Sequence, residues 1–257
     1  MTSDRPSVTF LGHSTVLLDM RAATVLTDPV LSRSVAAVVR RVGPDVDLEA
    51  LQHPDVVVIS HAHYDHLDLR TLRLLRPGFT LVVPRGVGRY VTSVGAGRVI
   101  ELREGETRHT DGLTVTAVHA VHDGRRHKFA SPADALGYVL RTDAGGVYHA
   151  GDTALFPEMA ALADEKLDLA LMPVWGWGPR LGPGHVDPEQ AAEATSMIKP
   201  TWAIPVHWGS LWSKVVRRDH HRRTQPPVEF ATAVIDRAPD TRVAILEVGE
   251  TWVIPPR

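Results

Sequence analysis

Short apolar runs broken by glycine and proline dominate the chain, and helical periodicity is confined to a few stretches. Runs over residues 8–11, 15–19, 24–27, 56–60, 80–83, 98–102, 113–119, 135–141 and 146–149 predict strands. Residues 169–173, 202–206, 242–248 and 252–254 continue the series. Val56-Val57-Val58-Ile59 and Leu169-Ala170-Leu171-Met172 lack any polar alternation. Such strands are expected to be covered on both faces.

Helices are fewer. Residues 68–76 carry Leu69, Leu72 and Leu75 at three-residue spacing and stop at Pro77-Gly78. Residues 187–199 open with Asp187 as N-cap, Pro188 at the first position and Gln190 completing a capping box. Residues 157–166 and 227–237 also read as helices, and 86–94 as a weaker one. Strands interleaved with helices, several of them doubly covered, indicate an α/β protein. A four-layer αββα sandwich fits the pattern. No linker, repeat or low-complexity tract divides residues 1–257, so one domain is expected.

Composition narrows the function. Lys and Arg number 28 against 30 Asp and Glu, a formal charge of −2, which offers no global basic field for nucleic acid. Cysteine is absent, which removes thiol catalysis and thiolate metal ligands. The opening residues 1–7 are polar with no signal core, and no run of apolar residues is long enough to span a bilayer. A cytoplasmic location is expected. Peripheral lipid contact and a homo-oligomer stay open.

The chain holds 14 histidines, and their placement is informative. His61-Ala62-His63-Tyr64-Asp65-His66 follows the covered strand 56–60 and precedes the helix at Asp68. Four potential ligands thus leave the carboxyl end of a strand, where sites in α/β folds commonly lie. His61 and His63 alternate and can point the same way, while Asp65 and His66 are available to a second ion. Three further candidates end predicted strands: His122, Asp152 within His149-Ala150-Gly151-Asp152-Thr153, and His207. Imidazole nitrogen with carboxylate oxygen suits zinc and accommodates manganese or iron.

At these residues the chain resembles the metallo-β-lactamase superfamily. Phe10-Leu11-Gly12-His13-Ser14-Thr15, Leu26-Thr27-Asp28-Pro29-Val30, Gly184-His185-Val186-Asp187-Pro188 and Pro205-Val206-His207-Trp208-Gly209 extend the likeness over nearly the whole chain. They resemble the branch that includes N-acyl-phosphatidylethanolamine-hydrolysing phospholipase D and the ascorbate-6-phosphate lactonases. The resemblance implies the αββα metallo-β-lactamase sandwich and two divalent ions. It places His61, His63 and His122 on the first ion, Asp65, His66 and His207 on the second, and Asp152 between them. Asp28 matches an acidic residue that supports the ligand loop, and reads equally as a turn Asp before Pro29. The family pattern Pro-Ala-x-His meets His119-Ala120-Val121-His122 here. That favours His122 as the ligand and leaves His119 beside the site or the substrate.

The implied activity is hydrolysis of a small-molecule phosphodiester, lactone or ester, with water activated between two ions. Asp65 or Asp152 would accept the water's proton, and His185 would face the substrate as a hydrogen-bond donor. His13 sits under or beside the site. Trp175, Trp208 and Trp212 read equally as pocket wall or core, and Arg180 with Arg125-Arg126 as phosphate or carboxylate binders, Arg126 more simply as a solvated side chain. Residues 30–43 are a candidate lid, and the basic stretch 214–223 a solvated loop. An iron redox enzyme on the same scaffold, of the persulfide dioxygenase kind, and a non-catalytic metal-binding module are the competing readings.

Overall fold

The computed structural model describes residues 5–36, 39–42, 51, 53–215 and 219–255. Parts of two expected segments, the candidate lid (37, 38 and 43) and the basic stretch (216–218), lie outside them. Among the described residues the strands form two seven-stranded sheets and one small sheet. The first runs β17 (Thr251–Val253), β1 (Ser7–Gly12), β2 (Thr15–Asp19), β3 (Thr24–Thr27), β6 (Val56–Val58), β7 (Thr80–Pro84), β8 (Arg98–Leu102). The second runs β16 (Arg242–Val243), β14 (Trp202–Val206), β13 (Leu169–Pro173), β12 (Gly145–His149), β11 (Leu136–Thr142), β10 (Leu113–His119), β9 (Thr107–Thr110). The small sheet joins β15 (Leu211–Ser213), β5 (Val39–Arg41) and β4 (Ser34–Val35).

One apolar core lies between the large sheets. Val8, Phe10, Val16 and Val58 from the first meet Val115, Tyr138 and Leu140 from the second. Helix α1 (Leu69–Leu74) covers the outer face of the first sheet, where Leu72 packs with Val57, Ile59 and Leu81. Helix α2 (Pro188–Ile198) covers the second through Ala191 and Ile198. The short α3 (His220–Thr224) leads into α4 (Pro226–Arg237), which adds Phe230 and Val234 to the same face. The runs 56–58 and 169–173 are buried at every position, as doubly covered parallel strands require. The expected four layers are present. No helix among the described residues is long and apolar enough to cross a membrane.

Several elements depart from the sequence expectation. The strand expected over 56–60 leaves its ladder early, because Ser60 N–H donates to Asp28 Oδ1 at 2.7 Å. The expected strand 242–248 pairs only at Arg242–Val243. Beyond Ala244 the chain crosses to the first sheet, where Gly249 N–H donates to Phe10 O, and continues as β17. Pro157–Glu165 is 3-10 rather than α-helical. Its N-cap Phe156 supplies no side-chain hydrogen bond, and its buried Met159 and Leu162 sit three apart, the period of that helix. The weak helix over 86–94 shrinks to a 3-10 turn, Gly88–Tyr90. The capping box of α2 is present with both reciprocal bonds.

Candidate metal centre

Side chains gather at one end of the sandwich because the strands that carry them end there. His13 follows β1, Asp28 follows β3, and the stretch His61 to His66 follows β6. His122 follows β10, Asp152 follows β12 and His207 follows β14. Tyr138 on β11 donates its hydroxyl to Ile59 O at 2.9 Å and ties the two sheets just before the histidine loop.

The seven expected ligands are brought together. His61 Nε2 lies 2.9 Å from His63 Nδ1, which lies 3.1 Å from His122 Nε2. His66 Nε2 lies 3.1 Å from His207 Nε2. Asp152 sits between the groups. Its Oδ2 is 3.1 Å from His66 Nε2, 3.8 Å from His61 Nε2 and 4.0 Å from His122 Nε2, and its Oδ1 is 3.2 Å from His207 Nε2. Asp65 Oδ2 lies 3.8 Å from His207 Nε2 and 3.9 Å from His66 Nε2.

Outer hydrogen bonds orient the rings. His66 Nδ1 donates to Asp28 Oδ2 at 2.8 Å, His122 Nδ1 to Gly184 O at 2.8 Å, and His207 Nδ1 to Trp175 O at 2.5 Å. Ser60 Oγ donates to Asp28 Oδ2 and therefore accepts from His61 Nδ1, 3.0 Å away. A neutral imidazole has one proton. In their neutral form, with Nδ1 protonated outward, these four rings face their Nε2 lone pairs inward, with His63 Nδ1 among them. Asp152 Oδ1 is buried and finds no hydrogen-bond partner. Converging lone pairs beside an unsatisfied carboxylate oxygen fit a cation, and the outer acceptors are those that orient metal-bound histidines.

The electrostatics agree with carboxylates held ionised among imidazoles. Burial pushes the Asp152 carboxyl up, but His207, His66 and a hydrogen bond from His185 outweigh it and hold it well below the usual range. Burial and neighbouring imidazoles push His61 well down and take His122 down to about 4. Both rings are therefore neutral and free to act as ligands at neutral pH.

The supporting residues fall into place unevenly. Asp28 is a hub rather than a simple turn residue: Oδ2 accepts from His66 Nδ1, Ser60 Oγ and His149 Nε2 at 2.8, 2.7 and 2.9 Å. His13 is buried, with its Nε2 3.2 Å from Asp65 Oδ2 and its ring 4.0 Å from that of His207. Burial, reinforced by His207, pushes it down to about 3, so the neutral ring donates to Asp65. Its φ of 56° is unusual for a non-glycine residue, and the fold holds it there through a bond from His207 N–H to His13 O. His185 Nε2 reaches Asp152 Oδ2 at 3.2 Å.

Four expectations change. His119 lies away from the cluster, because its Nδ1 bonds Glu104 Oε2 at 2.8 Å and its ring packs on Phe156. Trp175 acts through its carbonyl on His207, while Trp177 walls the cavity over the site. Trp208 and Trp212 are core. Arg180 is exposed and lines no cavity at the cluster, and Arg125 is paired with Asp123 at 2.6 Å. Arg126 is not a solvated side chain. It donates from Nη1 to Ala62 O and Leu67 O at 2.9 and 2.6 Å, pinning both ends of the histidine loop. Ser60, His149 and the clamp by Arg126 were not singled out from the sequence. A polar residue directly before His61 was the available signal for Ser60; the other two are long-range contacts.

Gly184 is required by this geometry. Its φ is +76°, and a Cβ there would stand 2.8 Å from His122 Nδ1. Gly184→Ala is expected to displace His122 and weaken retention of bound metal about tenfold. Metal content after dialysis against a chelator series checks this.

A two-sheet αββα sandwich with a His/Asp cluster at one end defines the metallo-β-lactamase fold. Residues 23–208 match the Beta-lactamase superfamily domain, and the chain belongs to that superfamily. It is 32% identical over 95% of its length, and 98% of the relative's, to a metal-dependent hydrolase of Methanopyrus kandleri. It is 28% identical, over 95% of this chain and 74% of the relative, to N-acyl-phosphatidylethanolamine-hydrolyzing phospholipase D 1 of Caenorhabditis elegans. Among solved structures, a metallo hydrolase of Ignicoccus hospitalis superposes with a TM-score of 0.73 at 26% identity, covering 98% of this chain and 99% of that one.

Proposed function

We propose that the chain is a metal-dependent hydrolase of a small phosphodiester, ester or lactone. The observation that carries this is the inward convergence of the Nε2 atoms of His61, His66, His122 and His207 on Asp152, each with its outward Nδ1 held by an acceptor. His61, His63 and His122 would hold one ion, Asp65, His66 and His207 a second, and Asp152 would be shared. Zinc, manganese and iron all suit the nitrogen and oxygen donors. When bound, the ions would supply Lewis acidity and lower the pKa of water.

The chain's own groups do the rest. Asp152 and Asp65 are the carboxylates within reach of a proton released at the cluster. His13, through its bond to Asp65, holds that carboxylate in one orientation. His185 stands at the mouth with Nε2 aimed at Asp152 and its Nδ1 3.1 Å from both Gly182 O and Pro183 O. Held this way it can donate to an oxygen of the substrate as charge develops. Val39 and Trp177 line the cavity beside that point.

Protein stripped of metal and reloaded with zinc or manganese is expected to cleave a chromogenic phosphodiester or aryl ester, and chelation to remove the activity. Bound iron with oxygen consumption and no hydrolysis would replace this reading with a redox enzyme. Failure to take up metal would leave a binding module.

A further inference from the structure

The cavity over the cluster does not end at the histidines. It has a volume of about 270 Å³ and is walled by Val35, Ala36, Val39 and Trp177 above His63, Asp65 and His185. A second cavity of about 260 Å³ adjoins it. The two share Val35, Ala36 and Tyr64, so they are neighbours along one face. Their chemistry differs sharply. The described lining of the first holds no lysine or arginine. The second is lined by Arg70, Arg73 and Arg126 against one acid, Asp68. Both Asp68 oxygens are already engaged, Oδ1 by Arg70 N–H and Oδ2 by the Thr71 hydroxyl. The Arg126 guanidinium carbon lies over Tyr64, 3.9 Å from the ring centroid, and the side chain is fixed by its bonds to Ala62 O and Leu67 O. Arg70 and Arg73 are exposed at the rim on α1.

We propose that the substrate is bipartite: a compact apolar acyl or aryl group beside the hydrolysed bond, and a carboxylate or phosphate that passes Tyr64 and pairs with Arg70, Arg73 and Arg126. The proposal rests on the hydrolase reading and adds the chemical class. The apolar wall favours an uncharged group flanking the hydrolysed bond, because a charge held against Val35, Val39 and Trp177 would be desolvated by them. The excess of three guanidinium groups over one occupied carboxylate favours an anion at the far end, and guanidinium geometry suits an oxyanion. In the ester case water cleaves the acyl C–O bond, giving an acid and an alcohol. The distal carboxylate takes no part in the chemistry and serves recognition.

The test compares two esters of one nitrophenol, the valerate and the hemiglutarate, which differ by a terminal methyl against a carboxylate. Metal-loaded wild type is expected to prefer the hemiglutarate in kcat/KM by roughly tenfold, as two or three partly exposed ion pairs would supply. The preference should fall as salt is raised. In the double variant Arg70→Glu, Arg73→Glu the ratio is expected to drop to about one or below. Calorimetric binding of glutarate against butyrate to the same metal-loaded proteins gives a second readout that needs no turnover. Glutarate should bind roughly tenfold tighter in wild type and lose that advantage in the variant. A ratio the charge reversal leaves unchanged, or equal binding of the two acids in wild type, overturns the proposal. If neither ester is cleaved, the hydrolase reading fails for these substrates, and the glutarate titration still decides the anion subsite.

Discussion

Asp152→Asn is expected to lower kcat/KM by about 10³-fold or more while leaving the fold intact, since it removes a carboxylate shared by both halves of the cluster. The substitution keeps size and shape, so packing beneath the site is preserved. What it removes is charge. Asp152 lies within 4.0 Å of His61, His66, His122, His185 and His207, and no other carboxylate among the described residues reaches all of these rings. An amide turned inward would aim protons at the nitrogen lone pairs or at whatever cation they hold. Metal content should fall together with activity, and the circular dichroism spectrum should not change. An Asp152→Asn protein that is fully active with metal bound would remove the shared-carboxylate mechanism altogether.

The histidine loop was legible because its information is local. His61, His63, Asp65 and His66 stand within six residues at the end of an uninterrupted apolar strand, and chain geometry alone brings them near each other. His122, Asp152 and His207 were legible for a weaker reason: each follows the end of a strand, and β10, β12 and β14 run in the same direction, so their carboxyl ends reach one edge. The resemblance then joined them. The remainder depends on long-range pairing. His149 meets Asp28 across 121 positions, and Arg126 reaches back 64 positions to Ala62. No local pattern encodes either contact. The strip formed by β4, β5 and β15 was invisible because its strands have two or three residues and join Trp212 to Arg40 across the chain. That strip supplies Val35 and Val39 to the cavity, so the pocket was the least readable part of the site. His119 shows the opposite failure. It is a histidine at a strand end, spaced three residues from the true member of the cluster, and only its pairing with Glu104 shows that it faces elsewhere.

Asp28→Asn should have the largest effect on stability, although Asp28 touches none of the inward-facing ligand nitrogens. Its carboxylate is fully buried, and Oδ2 accepts three hydrogen bonds while Oδ1 accepts the Ser60 N–H. Every partner is a donor. An amide has one oxygen, so either orientation of the substituted side chain points N–H groups at a donor and leaves buried protons unpaired. Breaking a buried charged network in this way costs about 3–5 kcal/mol. For a chain of this size that lowers Tm by on the order of 10 °C. His66 would lose its fixed tautomer, and metal affinity should fall about 10- to 100-fold. A pH series separates charge from shape. Burial raises the Asp28 carboxyl, but His149 and His66 outweigh it and hold it below the usual range. The folded pKa is therefore depressed, so the stabilisation is complete above the unfolded value of about 4 and is lost as pH falls below it. In metal-free protein the gap between wild type and Asp28→Asn should stay constant from neutral pH down to about 4.5 and narrow below about 4. A gap that does not change down to about pH 3 would mean that shape alone makes Asp28 important, and an unchanged Tm would mean that the network does not hold the histidine loop.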